Sequence, residues 1–315
     1  MGGNDLPPMI LLMDERKMKR KGNIKSKITP YLFLLPGLIL FVVFLIYPIL
    51  KSFQMSFYDW NIMPGAENEF VGLANYERAF NDEVVKTALK NSLLYAVITV
   101  PGQMIFALFF AILLNNIKRC KTLFRTLFYI PVVTSWVVVS LLFLYLFQSP
   151  RGIVNYLLVD VLHIFKEAVP WLQQSSTAFI PVLILGIWKG IGWSLVVYLA
   201  ALQSIPTDLY ESAAIDGANS WQKLIRITIP LIRPTNAYLL VMLTIGGLNV
   251  FTSVLMITNG GPLQSTEVML TYMYHQAFDY LDFGYGSTLS FILAFIVIIL
   301  SVLQLKFIRK PSEIS

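Results

Sequence analysis

Five long stretches of this sequence carry no charged residue, and they limit the fold more than any other feature. They are Ile28–Leu50, Asn91–Ile117, Thr126–Pro150, Pro234–Thr266 and Phe283–Leu305. A helix needs about 20 largely apolar residues to cross the roughly 30 Å hydrocarbon core of a bilayer. A sixth apolar stretch, roughly 178–202, contains a single charge, Lys189. The sequence therefore predicts an all-α membrane protein with six spans.

The composition excludes most classes of water-soluble protein. Only 13% of the residues are charged and 56% are hydrophobic, whereas a soluble domain has about 25% charged residues. The single cysteine, Cys120, cannot form an internal disulfide, and two histidines are too few for most metal sites. A soluble enzyme, a disordered chain and a disulfide-rich secreted domain are all disfavoured, and no metal site is expected.

The distribution of lysine and arginine predicts the orientation in the membrane. Seventeen of the 24 basic residues lie in the N-terminal segment, the loops after spans 2 and 4, and the C-terminal tail. Basic loops stay in the cytoplasm, so both termini are expected there. The expected domains are a basic cytoplasmic tail at 1–27, a six-span domain at 28–307 and a short cytoplasmic tail at 308–315. The net charge of +6 is assigned to these loops and not to nucleic-acid binding.

The sequence lacks the usual signatures of chemistry. There is no phosphate-binding G-x-x-x-x-G-K-[ST] segment and no H-E-x-x-H pair. None of the six stretches contains Asp or Glu, although such residues inside spans usually mark proton or ion coupling. We therefore expect no catalytic residues and no cofactor bound by this chain. Any energy for transport should come from another polypeptide.

The segment 204–234, between spans 4 and 5, is the most informative loop. A helix is expected to begin at Pro206 or Thr207, with acidic residues in its first turn. Gly217 suits its end, because glycine adopts the left-handed conformation without strain. Ser220 is expected to cap a second helix. The pattern predicts a short helix, a tight corner and another helix.

This loop resembles the EAA loop in the membrane subunits of bacterial ABC importers. The matching positions are Glu211, Ala213, Ala214, Asp216, Gly217, Ala218, Ile227 and Pro230. Ser212 replaces the first alanine of the family pattern, a small-for-small exchange. By this resemblance, the loop is the coupling helix that docks in a cleft of a separate ATPase, which binds the ATP.

The resemblance covers about residues 28–307 and points to maltose-type carbohydrate permeases. It is carried by Phe70–Tyr76, Leu199–Pro206 and Thr258–Pro262. It implies the type I importer permease fold in a bacterial or archaeal inner membrane. It also implies a second homologous permease, an ATPase dimer and an external binding protein that delivers a carbohydrate or polyol. Another small polar solute, or a stand-alone secondary carrier, stays open as an alternative.

By the same resemblance, the solute contacts lie on spans 3, 4 and 5. The positions that align are Ser135, Trp136, Lys189, Gly190 and Asn249. The family has an apolar residue where Lys189 stands, so the identity of the sugar does not carry over. The alternative for Lys189 is a packing or subunit-interface cation, and the alternative for Trp136 and Asn249 is helix packing.

Overall fold

The computed structural model describes residues 24–63, 65, 67–117 and 120–308. The chain divides into two compact units, one ending at Gln54 and the other beginning at Met55. Most of the expected tails, 1–27 and 308–315, lies outside the described residues. Within the first unit, helix α1 (Ile24–Phe41) already begins inside the segment expected to be tail. A π-helical turn, Val42–Ile46, joins it to α2 (Tyr47–Met55).

The second unit is also helical and contains one small hairpin. The hairpin pairs β1 (Tyr58–Asp59) with antiparallel β2 (Glu69–Phe70). The helices up to the middle of the chain are α3 (Ala74–Asn81), α4 (Glu83–Asn116), α5 (Lys121–Val133), α6 (Trp136–Leu146) and α7 (Ile153–Asn155). Those that follow are α8 (Ile180–Gln203), α9 (Thr207–Ile215), α10 (Ser220–Lys223), α11 (Ile229–Leu231), α12 (Arg233–Leu248), α13 (Thr252–Ile257), α14 (Met269–Tyr274) and α15 (Phe283–Ile308).

Within the described residues, four helices are long and apolar enough to cross a membrane. They are Phe33–Met55, Glu83–Asn116, Ile180–Gln203 and Phe283–Lys306. Two bent pairs bring the number to six if each pair is counted as one span: Thr122–Val133 with Trp136–Leu146, and Ser220–Leu231 with Arg233–Leu248. The chain is therefore an all-α membrane protein with four to six apolar spans.

The predicted third span is not a single rod. Its two helices, α5 and α6, meet at an angle of 92°. They contain 13 and 11 residues, so each is only about 15–20 Å long at 1.5 Å per residue. Thr134, between them, is extended, with ψ of 142°. The absence of charge predicts only the length of an apolar segment. It does not predict whether the helix through that segment is continuous.

Part of the core is built where α4 and α5 lie against α8, and glycines of α8 permit that close approach. A Cβ on Gly186 would lie 2.2 Å from the Tyr95 hydroxyl. One on Gly192 would lie 2.2 Å from the backbone oxygen of Phe128. The helix stays continuous through these positions. The glycines therefore serve close packing, which small residues permit in membrane helices, and not local unwinding.

A polar cluster joins α3, α4, α14 and α15 on the side predicted to face outward. Asp82 caps α4 by accepting a hydrogen bond from the Val84 backbone N–H at 2.8 Å. Its other oxygen accepts from the hydroxyls of Tyr272 at 2.7 Å and Tyr285 at 2.8 Å. The Arg78 guanidinium lies 3.7 Å from the centre of the Tyr285 ring. One carboxylate thus ties the start of one span to two later elements.

Replacing Asp82 by asparagine should destabilise the protein at neutral pH and remove part of its acid sensitivity. Burial by itself raises the pKa of Asp82, but the hydrogen bonds from the two tyrosines and the backbone outweigh it and lower the pKa. The lowered pKa stabilises the folded protein at pH values above the carboxyl's unfolded pKa. This stabilisation is lost as the pH falls through the lowered folded pKa. Asp82→Asn should cost about 1–2 kcal/mol, because hydrogen bonds to a charged acceptor are lost.

Thermal unfolding of the detergent-solubilised protein between neutral and acidic pH measures this effect. Glu83→Gln is the matched control, because Glu83 is the exposed neighbour and forms an ion pair with exposed Lys86. An Asp82→Asn protein as stable as wild type at neutral pH would show that the tyrosine contacts contribute nothing.

Candidate functional site

The loop between spans 4 and 5 folds as the predicted helix and corner, and its C-terminal cap uses the residues of the loop pattern. Helix α9 has Pro206 before it and Asp216 as its C-cap. Gly217 has φ of +78°. Its N–H donates to the Ala214 carbonyl at 3.1 Å, and the Ala218 N–H donates to the Ala213 carbonyl at 2.8 Å. These paired bonds form a Schellman motif, which satisfies the last carbonyls of the helix.

The second helix begins with a side-chain cap, at Asn219 and not at Ser220 as expected. The Gln222 N–H donates to Asn219 Oδ1 at 2.8 Å, and the Asn219 N–H donates to Gln222 Oε1 at 2.9 Å. This reciprocal pair is a capping box. Asn followed three residues later by Gln is visible in the sequence, so the pattern alone contained this signal. The corner is therefore closed by hydrogen bonds on both sides.

Helix α9 lies at the surface, and none of its side chains is fully buried. Ile215 is 87% exposed and Trp221, at the start of the next helix, is 67% exposed. Glu211 and Asp216 are exposed as well. An acidic residue at a helix C-terminus opposes the helix dipole, so Asp216 does not serve the stability of α9. The surface of α9 and the start of the next helix thus combines exposed apolar side chains with two carboxylates.

The loop is anchored in the core below it. The Tyr210 hydroxyl lies 2.9 Å from the Thr228 hydroxyl, which links α9 to the second helix. Ile232, 1% exposed, packs in a cluster with residues of α4, α8 and α12. Of the remaining pattern residues, Ile227 lies in a π-helical turn, Leu224–Thr228, and Pro230 lies in α11, just before the bend. A displacement of α9 would therefore be transmitted to three spans.

Lys189 is held at the break in the third span. Its ammonium donates to the backbone carbonyls of Pro131 and Thr134, the latter at 2.7 Å. It also lies 4.8 Å from the centre of the Trp136 ring, and the residue is 4% exposed. Carbonyls at the end of a helix lack intrahelical partners and carry partial negative charge. Lys189 supplies both hydrogen bonds and charge there, so it caps α5 from the neighbouring span.

The other residues predicted to contact the solute do not all lie at the break in the third span. Ser135 lies in the break, Trp136 begins α6 directly after it, and both are exposed. Gly190 faces α4, since a Cβ there would lie 2.1 Å from Gln103 Oε1. Asn249 is exposed at the C-terminus of α12, and its side chain donates to the Ile245 carbonyl at 2.8 Å. The structure thus brings Trp136 and Lys189 together and gives Gly190 a packing contact.

The arrangement offers hydrogen-bond donors, aromatic faces and an exposed surface helix. Within the described ranges, no group of three or more His, Cys, Asp or Glu side chains is placed to hold a metal ion. Hydroxyl, amide and indole groups bind polar solutes by hydrogen bonding and stacking. The groups at the break in the third span are thus ones that hydrogen-bond or stack with polar molecules.

Comparison with known proteins gives a consistent result. Residues 103–310 match a family described as binding-protein-dependent transport system inner membrane component. The chain is 37% identical to the lactose transport system permease protein LacF of Rhizobium radiobacter, over 87% of this chain and 92% of that protein.

Two solved structures are also similar to the chain. One is a bacterial ABC transporter involved in the import of the acidic polysaccharide alginate, with a TM-score of 0.80 and 29% identity over 92% of this chain and 98% of that one. The other is a bacterial alginate ABC transporter in complex with a periplasmic protein that binds an alginate pentasaccharide. Its TM-score is 0.79, at 27% identity over 92% of this chain and 97% of that one.

Proposed function

Because the chain belongs to the family of binding-protein-dependent transport system inner membrane components, we propose that it is the permease subunit of an ATP-driven importer for a carbohydrate. Lactose and alginate, named for its relatives, are both carbohydrates. The observation that carries the proposal is α9, an exposed helix closed by a Schellman motif and anchored in three spans. It has the form expected of an element that receives force from a partner.

The proposed complex contains four kinds of component. This chain pairs with a second homologous permease in the inner membrane of a bacterium or archaeon, with both termini in the cytoplasm. A cytoplasmic ATPase dimer binds and hydrolyses ATP, so this chain itself has no enzymatic activity and no cofactor. An external binding protein delivers the solute, as the alginate transporter with its periplasmic protein supports.

The proposed mechanism is alternating access between two arrangements of the spans. ATP binding closes the ATPase dimer and displaces α9. Tyr210 and Ile232 pass the displacement to α4, α8 and α12, since they join the loop to that packed cluster. The solute-loaded binding protein and ATP both favour the outward-open arrangement, which is the thermodynamic content of their coupling.

Charge reversal at Glu211 tests the docking surface. Glu211→Lys should weaken retention of the ATPase at least about thirtyfold, because reversing a charge at an interface costs upwards of about 2 kcal/mol. Glu211 is exposed, so folding and membrane insertion should not change. The measurement is affinity purification in mild detergent, with quantitative mass spectrometry of the proteins that co-elute.

The control is Glu167→Lys, an equal charge reversal at another exposed glutamate outside the loop. The wild-type chain and this control should retain an ATPase with a phosphate-binding loop and a second six-span protein. A chain that elutes alone and moves solute in liposomes without ATP would instead be a secondary carrier, and the proposal would be wrong.

A further inference from the structure

The segment 204–234 between spans 4 and 5 is called the coupling loop below. A cavity lies between this loop and the ends of two spans. Its volume is about 880 Å³, within the range of about 300–1,000 Å³ common for small-molecule sites. The last residues of α4, the last residues of α8 and the first residues of α9 and α10 line it. Tyr210 and Thr228, whose hydroxyls link α9 to the second helix, also line it.

The lining is divided between polar and apolar groups. Lys223 supplies a cation, and Asn116, Gln203 and Ser220 supply amide and hydroxyl groups. Another part of the wall is apolar and includes Ile112, Leu202, Ile205 and Leu224. Among the described residues that line the cavity there is no Asp or Glu. A ligand that fits both parts is an amphiphile with an anionic, hydrogen-bonding head.

The cavity also lies at the ends of two apolar helices long enough to cross a membrane. Asn116 is the last residue of α4 and Gln203 the last of α8, and basic residues 118 and 119 follow the charge-free run of α4 directly. Exposed Trp221 lines the same cavity, and tryptophan is enriched where hydrocarbon meets headgroups. Basic pockets between spans on the cytoplasmic side are suited to anionic lipid headgroups.

We propose that this cavity binds the phosphate headgroup of an anionic phospholipid, with Lys223 facing the phosphate and the apolar wall facing the start of the acyl chains. The assignment to the cytoplasmic leaflet rests on the proposed function, which places the coupling loop there. Since α9 and α10 form one wall, a bound lipid would hold the loop against the spans. Free phosphate shares the headgroup's charge but has no part that fits the apolar wall.

Lipid retention by the purified full-length chain, with whatever subunits co-purify, tests the proposal. Native mass spectrometry is used to titrate phosphatidylglycerol against zwitterionic phosphatidylcholine. Phosphatidylglycerol should be retained preferentially, and excess inorganic phosphate should not displace it. Lys223→Ala should lower that affinity about fivefold, the effect of roughly one basic residue near an anionic lipid surface. Ser220→Asp, which places a carboxylate in the cavity at a helix start that tolerates it, should lower it further.

Lys306→Ala is the matched control, because Lys306 is exposed on α15 and does not line the cavity. Equal losses in Lys223→Ala and Lys306→Ala would mean only a diffuse basic surface and would overturn the site. Displacement of the lipid by inorganic phosphate would assign the cavity to phosphate. Loss of the lipid whenever the ATPase is bound would assign the cavity to the ATPase. Lipid retention needs no ATPase, so a chain that retains lipid but no ATPase would contradict only the proposed function.

Discussion

A proline at position 217 should abolish solute uptake while leaving the protein inserted in the membrane. Proline fixes φ near −65°, whereas Gly217 has φ of +78°. The substitution also removes the N–H that donates to Ala214 and moves Ala218 away from the Ala213 carbonyl. The corner between α9 and α10 cannot keep its geometry. Since no side chain of α9 is buried, the spans should assemble without that corner.

Two further substitutions separate the backbone requirement from a general effect of mutation. Asparagine tolerates the left-handed conformation, so Gly217→Asn should retain most activity. Gly217→Ala should fall between them, since alanine in that conformation costs about 1–2 kcal/mol. Uptake is measured with a sugar first shown to stimulate ATP hydrolysis by the reconstituted complex, and insertion by resistance to alkaline extraction. Full uptake by Gly217→Pro would remove the coupling role assigned to this corner.

Replacing Lys189 by methionine should destabilise the protein strongly, although it removes a charge from a span. Two partly buried carbonyls, on Pro131 and Thr134, would lose their donor, at about 1–3 kcal/mol each. Lysine at the centre of a span costs roughly 2.5–3.5 kcal/mol on insertion. That cost is shared by the folded and unfolded inserted chain, so removing it does not offset the lost bonds. A loss of about 3 kcal/mol corresponds to a thermal midpoint lower by roughly 10 °C.

Thermal stability followed by size-exclusion chromatography measures this effect. Lys306→Met, the same substitution at an exposed lysine, should leave the midpoint unchanged. Lys189→Arg, which keeps a charge and donors, should recover part of the loss. A Lys189→Met protein with wild-type stability but no uptake would favour a direct contact with the solute over the capping of α5.

The two substitutions test two regions that one helix connects. Helix α8 carries Lys189 near its middle and ends at Gln203, and α9 begins at Thr207. The Tyr198 hydroxyl on α8 donates to Asn236 Oδ1 on α12 at 2.8 Å. The same helix therefore contacts the break in the third span and the cluster under the coupling loop. A shift of α8 along its axis would change both places together.

More of the coupling corner at Gly217 than of the region around Lys189 could be predicted from the sequence. Gly217 was predictable because its requirement is local: a helix must end, and glycine accepts a positive φ. The Asn219–Gln222 cap is local too, and only the choice of Ser220 over Asn219 was wrong. The contacts of Lys189, in contrast, join residues more than fifty positions apart along the chain. Spacing and periodicity contain no information about such pairs.

The sequence by itself determined the all-α membrane class and the long apolar helices, because the hydrocarbon core requires runs of apolar residues and excludes unsatisfied backbone. It also determined the corner at Gly217, which depends on neighbours in the chain. Only the tertiary structure decided that the third span is broken at Thr134 and that Gly190 packs against Gln103. It likewise decided that Lys189 caps α5. A helix cap that comes from another span, and the close packing that a glycine allows, exist only once the helices are packed together.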